Sequence, residues 1–297
     1  MGKIVRMRSE DGFLLASAID STDIVAEATR IHQTSATASA ALGRALSITS
    51  LIGKTIKAQD GSVTLQFKGG GPGGTLITVS DTEGNVRGYI QHPNADVARK
   101  PNGKLDVGGL IGTDGILTVI KDLGMGEPYI GTVSLLSGEI AEDVALYFAE
   151  SEQIPTVCAA GVLVNPDGSI QCSGAYILQL MPGYDEQIID KLERQVLKAE
   201  SVTDMLRKGF GPEEMLRTIL KEEDLVELEE LSAEYRCYCS KERVTGALGS
   251  IGEKALRDMI SEQGSAEVTC QFCDKIYNFS EDELTQILQF ALNKQDV

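Results

Sequence analysis

The sequence predicts an α+β fold: an N-terminal antiparallel-rich sheet with packed helices, a charged helical linker, and a small C-terminal unit built around four cysteines. Three observations carry that expectation. Short β-branched runs separated by turn signals fill the first 180 or so residues, acid-rich amphipathic stretches follow, and two close cysteine pairs mark the end. The expected boundaries are 1–183, 184–233 and 234–297. At 297 residues the chain can bury a full domain core and still carry smaller units.

Lys3–Arg8 and Phe13–Ile19 flank Glu10-Asp11-Gly12 and read as a hairpin. Helical patterns follow over Thr22–His32 and Thr37–Ile56. Strand-like runs recur at Val63–Phe67, Leu76–Val79, Val86–Gln91, Leu117–Ile120, Ile130–Leu135, Ala159–Val164 and Ser169–Gln179, with one helix over about Glu139–Ser151. Adjacent strands joined by turns such as Glu83-Gly84-Asn85 and Asn165-Pro166-Asp167-Gly168 argue for antiparallel pairing.

From Gly183 the texture changes. Residues 185–232 hold fourteen acids against seven Lys and Arg, so the helices there are strongly charged. Ile188, Ile189, Leu192 and Val196 form one apolar stripe; Met215, Leu216, Ile219 and Leu220 form another after a helix start at Pro212-Glu213-Glu214. The acidic run KEEDLVELEELSAE continues this segment, which is too thin to hold a core alone and must lean on something. In the final unit, Ser280-Glu281-Asp282-Glu283 fits a capping box ahead of Leu284, Ile287, Leu288 and Leu292.

A net charge of −17 argues against a nucleic-acid or anionic-membrane partner, because phosphate binding needs clustered Lys and Arg. The opening MGKIVRMRSED has no apolar stretch of the signal-peptide kind. Ala36–Gly53, the most membrane-like run, has Arg44 at its centre and is interrupted by Ser and Thr, so it reads as a small-residue core helix. The expected location is the cytoplasm, where clustered thiols more often hold metal than structural disulfides.

Gly69-x-Gly71-x-x-Gly74 matches the form of a dinucleotide-binding fingerprint. The strand-like Thr75–Val79 follows it instead of a helix, so a close backbone approach is the better account and no cofactor-binding residue is assigned. With two histidines, His32 and His92, and no nucleophile elbow, no catalytic residue is assigned either, and an enzyme is not expected. Cys158 and Cys172 lie in apolar strand-like runs and read as small core residues.

Cys237-x-Cys239 and Cys270-x-x-Cys273 are different. Two short-spaced pairs separated by some thirty residues can bring four thiolates to the corners of a tetrahedron, the set that zinc accepts without a geometric preference of its own. One static structural knot is one outcome. A thiol switch is the other: the one-residue gap permits a strained, readily reduced disulfide, the C-x-x-C spacing is that of dithiol redox motifs, and Arg236, Lys241 and Arg243 add charge favouring thiolate. The chemistry of the four residues leaves both open.

The stretches RCYCSKERV and VTCQFCDKIYNF closely resemble the redox-regulated heat-shock chaperones of the thirty-three kilodalton class. TASAALGRAL, FKGGGPGG, GKLDVGGLIG, LTVIKDLG, GVLVNPDGS and YILQLMPG extend that resemblance along the chain. It implies an ATP-independent holdase for unfolding proteins under oxidative stress. In the reduced, inactive state it implies one zinc ion per chain on Cys237, Cys239, Cys270 and Cys273. Oxidation then releases zinc, joins Cys237 to Cys239 and Cys270 to Cys273, and unfolds the C-terminal unit and linker. The resemblance further implies a homodimer when active and transfer of clients to ATP-dependent chaperones. The alternative is a constitutive structural zinc module that mediates protein–protein interaction.

Overall fold

The computed structural model describes residues 1–184 and 187–295, so Asp185 and Glu186 of the expected linker and Asp296 and Val297 of the expected tail lie outside it. In chain order the elements are β1 (Gly2–Ser9), β2 (Leu14–Asp20), α1 (Thr22–His32), α2 (Ala36–Gly53), β3 (Ser62–Lys68), β4 (Leu76–Asp81) and β5 (Val86–Ile90). Next come α3 (Val107–Ile111), β6 (Ile116–Asp122), β7 (Tyr129–Ser134), α4 (Ala141–Tyr147) with a π turn over Phe148–Glu152, β8 (Thr156–Val164) and β9 (Ile170–Leu180). The chain continues through α5 (Gln187–Lys198), α6 (Val202–Arg207), α7 (Pro212–Ile219) and β10 (Leu225–Ala233). It ends with α8 (Lys241–Gly249), α9 (Glu253–Gln263), β11 (Ser265–Thr269), β12 (Ile276–Ser280) and α10 (Glu281–Gln295). Two compact units result, Met1–Arg236 and Cys237–Val297.

The first unit holds two five-stranded antiparallel sheets, in the orders β10-β1-β2-β9-β8 and β5-β4-β3-β6-β7. The small residues of α2 let it approach both sheets, and its Leu42, Leu46, Ile48 and Leu51 join one core with Ile19, Val63, Leu65, Phe67, Leu117 and Ile177. A Cβ at Gly43 would meet Val25 and Val162 side chains at 2.7 and 2.8 Å, so no larger residue fits there. The hydroxyls that interrupt this helix are all satisfied internally: Ser47 donates to Gly43 O and meets Ser21, Thr49 meets Thr78, and Ser50 donates to Gly84 O. Arg44, the charge that argued against a span, reaches Glu139 at 2.6 Å. No helix among the described residues is long and apolar enough to cross a membrane.

The loop after β3 does what its glycines allow. Gly71 N–H donates to Ile111 O and Gly73 N–H to Leu110 O, both at 2.9 Å, and a Cβ at Gly71 would collide with the α3 backbone at 2.4 Å. α3 itself had no signal strong enough to be expected from the sequence; Asp106 caps it by accepting from Gly109 N–H.

The opposite face of the first sheet is covered by α5, α6 and α7. Leu192, Met205, Met215, Leu216 and Ile219 pack over Met7, Leu14, Ala18, Tyr176 and Leu178, so the charged segment does lean on the sheet. Its helical description needs one correction: Leu225–Ala233, inside the acidic run, is a strand. Two forces override helix propensity there. Strand β1 has an open edge that takes the full length of β10, and its cations receive the acids: Arg6 Nη1 lies 2.5 Å from Glu229 and Lys3 Nζ lies 2.9 Å from Glu230.

Candidate metal centre

The second unit is small. Leu248, Leu256, Tyr277, Phe279, Leu284 and Ile287 lead its apolar cluster, drawn from α8, α9, the β11–β12 hairpin and α10. The expected capping box is present: Glu283 accepts from Ser280 N–H at 2.9 Å, and Ser280 Oγ accepts from Glu283 N–H at 3.3 Å.

The four cysteines sit on two short irregular segments that this framework fixes. Cys237 and Cys239 precede α8, whose N-cap Ser240 accepts from Arg243 N–H at 3.3 Å. Cys270 and Cys273 lie on a tight knuckle between β11 and β12. There Asp274 N–H donates to Cys270 O at 2.9 Å, Cys270 N–H donates to Lys275 O at 3.0 Å, and Asp274 takes φ +56°. Asp tolerates that left-handed conformation better than most residues, which lets the chain reverse directly after the second cysteine.

Cys237 Sγ lies 3.7 Å from Cys270 Sγ and Cys239 Sγ lies 3.4 Å from Cys273 Sγ; all four sulfurs fall within 4.8 Å of one another. A tetrahedron with metal–sulfur bonds of about 2.3 Å has edges of about 3.8 Å. The donor set therefore fits a metal ion, and the four residues the sequence grouped are the four the fold brings together.

Their electrostatics are uneven. Burial works to raise the Cys239 thiol, but hydrogen bonds from Tyr277 and the neighbouring thiols outweigh it and bring the group down to about 7. Cys237 is pushed up to about 11, chiefly by burial, and Cys273 is raised for the same first cause. The hydroxyl of Tyr277 donates to Cys239 Sγ at 3.0 Å, which in turn holds the phenol well above its ordinary range. Tyr277 was not singled out from the sequence; its signal is a polar aromatic four residues beyond Cys273. Of the cations expected to favour thiolate, Lys241 Nζ meets Glu283 at 2.5 Å and stands over the Phe279 ring, and Arg236 pairs with Glu234.

The sequence model described as Hsp33 protein matches residues 2–280 of this chain. The chain belongs to the Hsp33 family. Among curated Hsp33 relatives, a 33 kDa chaperonin of Clostridioides difficile is 46% identical over 286 residues, covering 96% of this chain and 98% of that one. A 33 kDa chaperonin of Oceanobacillus iheyensis is 41% identical, with 96% and 99% covered. The crystal structure of a 33 kDa chaperonin, a heat shock protein 33 homolog from Thermotoga maritima, superposes with a TM-score of 0.87 at 33% identity, covering 98% of this chain and 99% of that one. The Hsp33 fold therefore spans both units, and the coarse functional class is chaperone.

The two remaining cysteines belong to the first unit and are not part of the four-sulfur group. Cys158 on β8 packs against the main core, and Cys172 on β9 is buried with its Sγ 3.7 Å from Thr203 O. Burial pushes both thiols up, so neither has the character of a nucleophile.

Proposed function

We propose that this Hsp33 chain is a redox-regulated, ATP-independent holdase that captures unfolding proteins under oxidative stress. When reduced it holds one zinc ion on Cys237, Cys239, Cys270 and Cys273 and is inactive; oxidation of those thiols releases the metal and activates it. The observation that supports the reading is the pairing of a four-sulfur cluster with a unit whose apolar core is too small to stand alone. A core of this size supplies about 3–5 kcal/mol, whereas structural zinc in small modules is worth on the order of 10–16 kcal/mol. Zinc held by the four thiolates would tie the segment before α8 to the β11–β12 knuckle, which the hydrogen bond from Tyr277 to Cys239 also joins.

Oxidation joins Cys237 to Cys239 and Cys270 to Cys273. Each bond forms as two thiolates pass two electrons to one hydrogen peroxide molecule, which takes up two protons from solvent and leaves as two waters. Loops this short restore little of the lost stability. The functional division follows as 1–183 for the sheet domain, 184–233 for the linker and 234–297 for the switch. Chain continuity carries the change upstream, since three residues separate β10 from Cys237. Once the linker loosens, the apolar sheet face beneath α5–α7 opens to clients. The active form works as a homodimer in the cytoplasm, hands clients to ATP-dependent chaperones when reducing conditions return, and turns over no substrate of its own.

The test is zinc content and suppression of client aggregation, measured on the same samples before and after peroxide with mild heat. About one zinc released per chain with a parallel gain in suppression is expected. Release without that gain would reject the holdase and favour a constitutive zinc module.

A further inference from the structure

The first sheet has two edges, and they are guarded differently. β10 carries Glu227, Glu229 and Glu230 among nine residues. β8, on the other side, reads TVCAAGVLV and contains neither a charge nor a proline. Edge strands are ordinarily protected by charge, proline or bulges, because an open edge is a template for another chain. The bulge on β8 comes only at Leu163/Val164, at its far end. Every β8 residue except Val162 is partly exposed.

The register shows which backbone groups face outward. Leu180 N–H donates to Pro155 O at 3.1 Å, whereas Met181 N–H turns the other way, to Phe13 O on the β2 side. Orientation alternates along a strand, so the odd-numbered residues of β8 bond to β9. The N–H and C=O groups of Thr156, Cys158, Ala160 and Val162 then point away from the sheet, and among the described residues no main-chain or side-chain group bonds to them. That leaves about 20 Å of ladder ready for a partner.

We propose that the β8 edge takes up one extended segment of an unfolding polypeptide as a sixth strand. The inference rests on the holdase reading and adds a surface that lies outside the cysteine switch. Main-chain pairing recognises an extended backbone more than any one sequence, which suits a partner defined by being unfolded. Ala159, Ala160 and Gly161 keep the middle of the edge low, so uncharged segments of moderate bulk fit, and a chain of net charge −17 favours segments with basic flanks. A second copy of this chain is a poor occupant. A ladder of nine residues buries far less than the roughly 1,200 Å² of a stable interface.

The experiment uses the full-length oxidised chain and a fluorescein-labelled peptide of alternating Thr and Val flanked by lysines, read by anisotropy. A matched peptide with alternate backbone nitrogens methylated cannot complete the ladder and should bind about tenfold more weakly. Ala160→Pro removes an outward N–H without touching a bond to β9 and should cost the parent peptide a similar factor. Equal binding of the two peptides to the wild-type chain overturns the proposal whether or not the Pro variant folds. Concentration-dependent dimerisation abolished by Ala160→Pro would assign the edge to a second copy and overturn it as well. Aggregation suppression separates the two readings. If Ala160→Pro suppresses as well as wild type, the edge is wrong and the holdase stands; if the peptide pairs at β8 while suppression is absent, the holdase is wrong and the edge stands.

Discussion

In Met1–Arg236, α2 lies between two five-stranded sheets and buries nearly every residue, while in Cys237–Val297 three helices and one hairpin enclose a handful of apolar side chains. The first unit excludes water by volume, with interlocked layers that no single group holds together. Its partner closes two irregular segments around four sulfurs, which concentrates its stability at one point. A fold stabilised in this second way can be dismantled by chemistry at that point, while the first can only be worn down residue by residue.

The largest break in the comparison should come from removing a ligand. Cys270→Ser is expected to abolish tight zinc binding and unfold Cys237–Val297, a loss set by metal binding of about 10–16 kcal/mol. Circular dichroism together with limited proteolysis should show cleavage confined to that unit. A variant that keeps its tail protected would place both units in the same class.

Next in size is the cover on the first sheet. Leu216→Ala removes a fully buried side chain from the α7 contact and should cost about 2–5 kcal/mol. If α5–α7 act as a removable layer, the reduced variant should also bind more of an apolar dye than the wild type. Destabilisation spread evenly over both sheets, read by hydrogen exchange, would count against a separable cover.

Tyr277→Phe sharpens the account of the sulfur cluster. Loss of the hydroxyl donor should raise the Cys239 pKa above its value of about 7 and weaken zinc binding by about 10–100-fold, the usual cost of losing an outer hydrogen bond at a metal site. A pH profile of thiol alkylation in the metal-free chain reads the first effect and a competition titration the second. Zinc affinity should also fall as pH drops, since Cys239 takes up a proton below about pH 7 and Cys237, at about 11, must lose one whenever metal binds.

The smallest expected effect is at Glu139, a partly buried carboxylate of the first unit. Burial works to raise its pKa, but hydrogen bonds from Lys100 and Arg44 prevail and hold it below the ordinary carboxylate value. Its contribution is therefore present above the unfolded pKa and is lost as pH falls through the lower, folded one. Glu139→Gln should flatten the acid limb of the first unit's melting curve and leave zinc content unchanged.

Much of this was legible from residue order. Hairpin turns between β-branched runs located most strands, and Thr22–His32 is a helix over its whole expected length, because local turn chemistry and apolar period agree there. The cysteine quartet was legible because ligand spacing is a short-range signal. β10 was not, since its acids resemble a solvated helix face until Arg6 and Lys3, more than two hundred residues upstream, receive them. Tyr277 was missed for a related reason: its role depends on how the hairpin aims it at Cys239.

Hydrogen exchange on the zinc-loaded and the peroxide-treated chain tests the central claim most directly. The account predicts that amides across 237–295 lose protection on oxidation while those of β2 and β9 keep theirs. Equal protection of the tail in both states, with the metal gone, would contradict it.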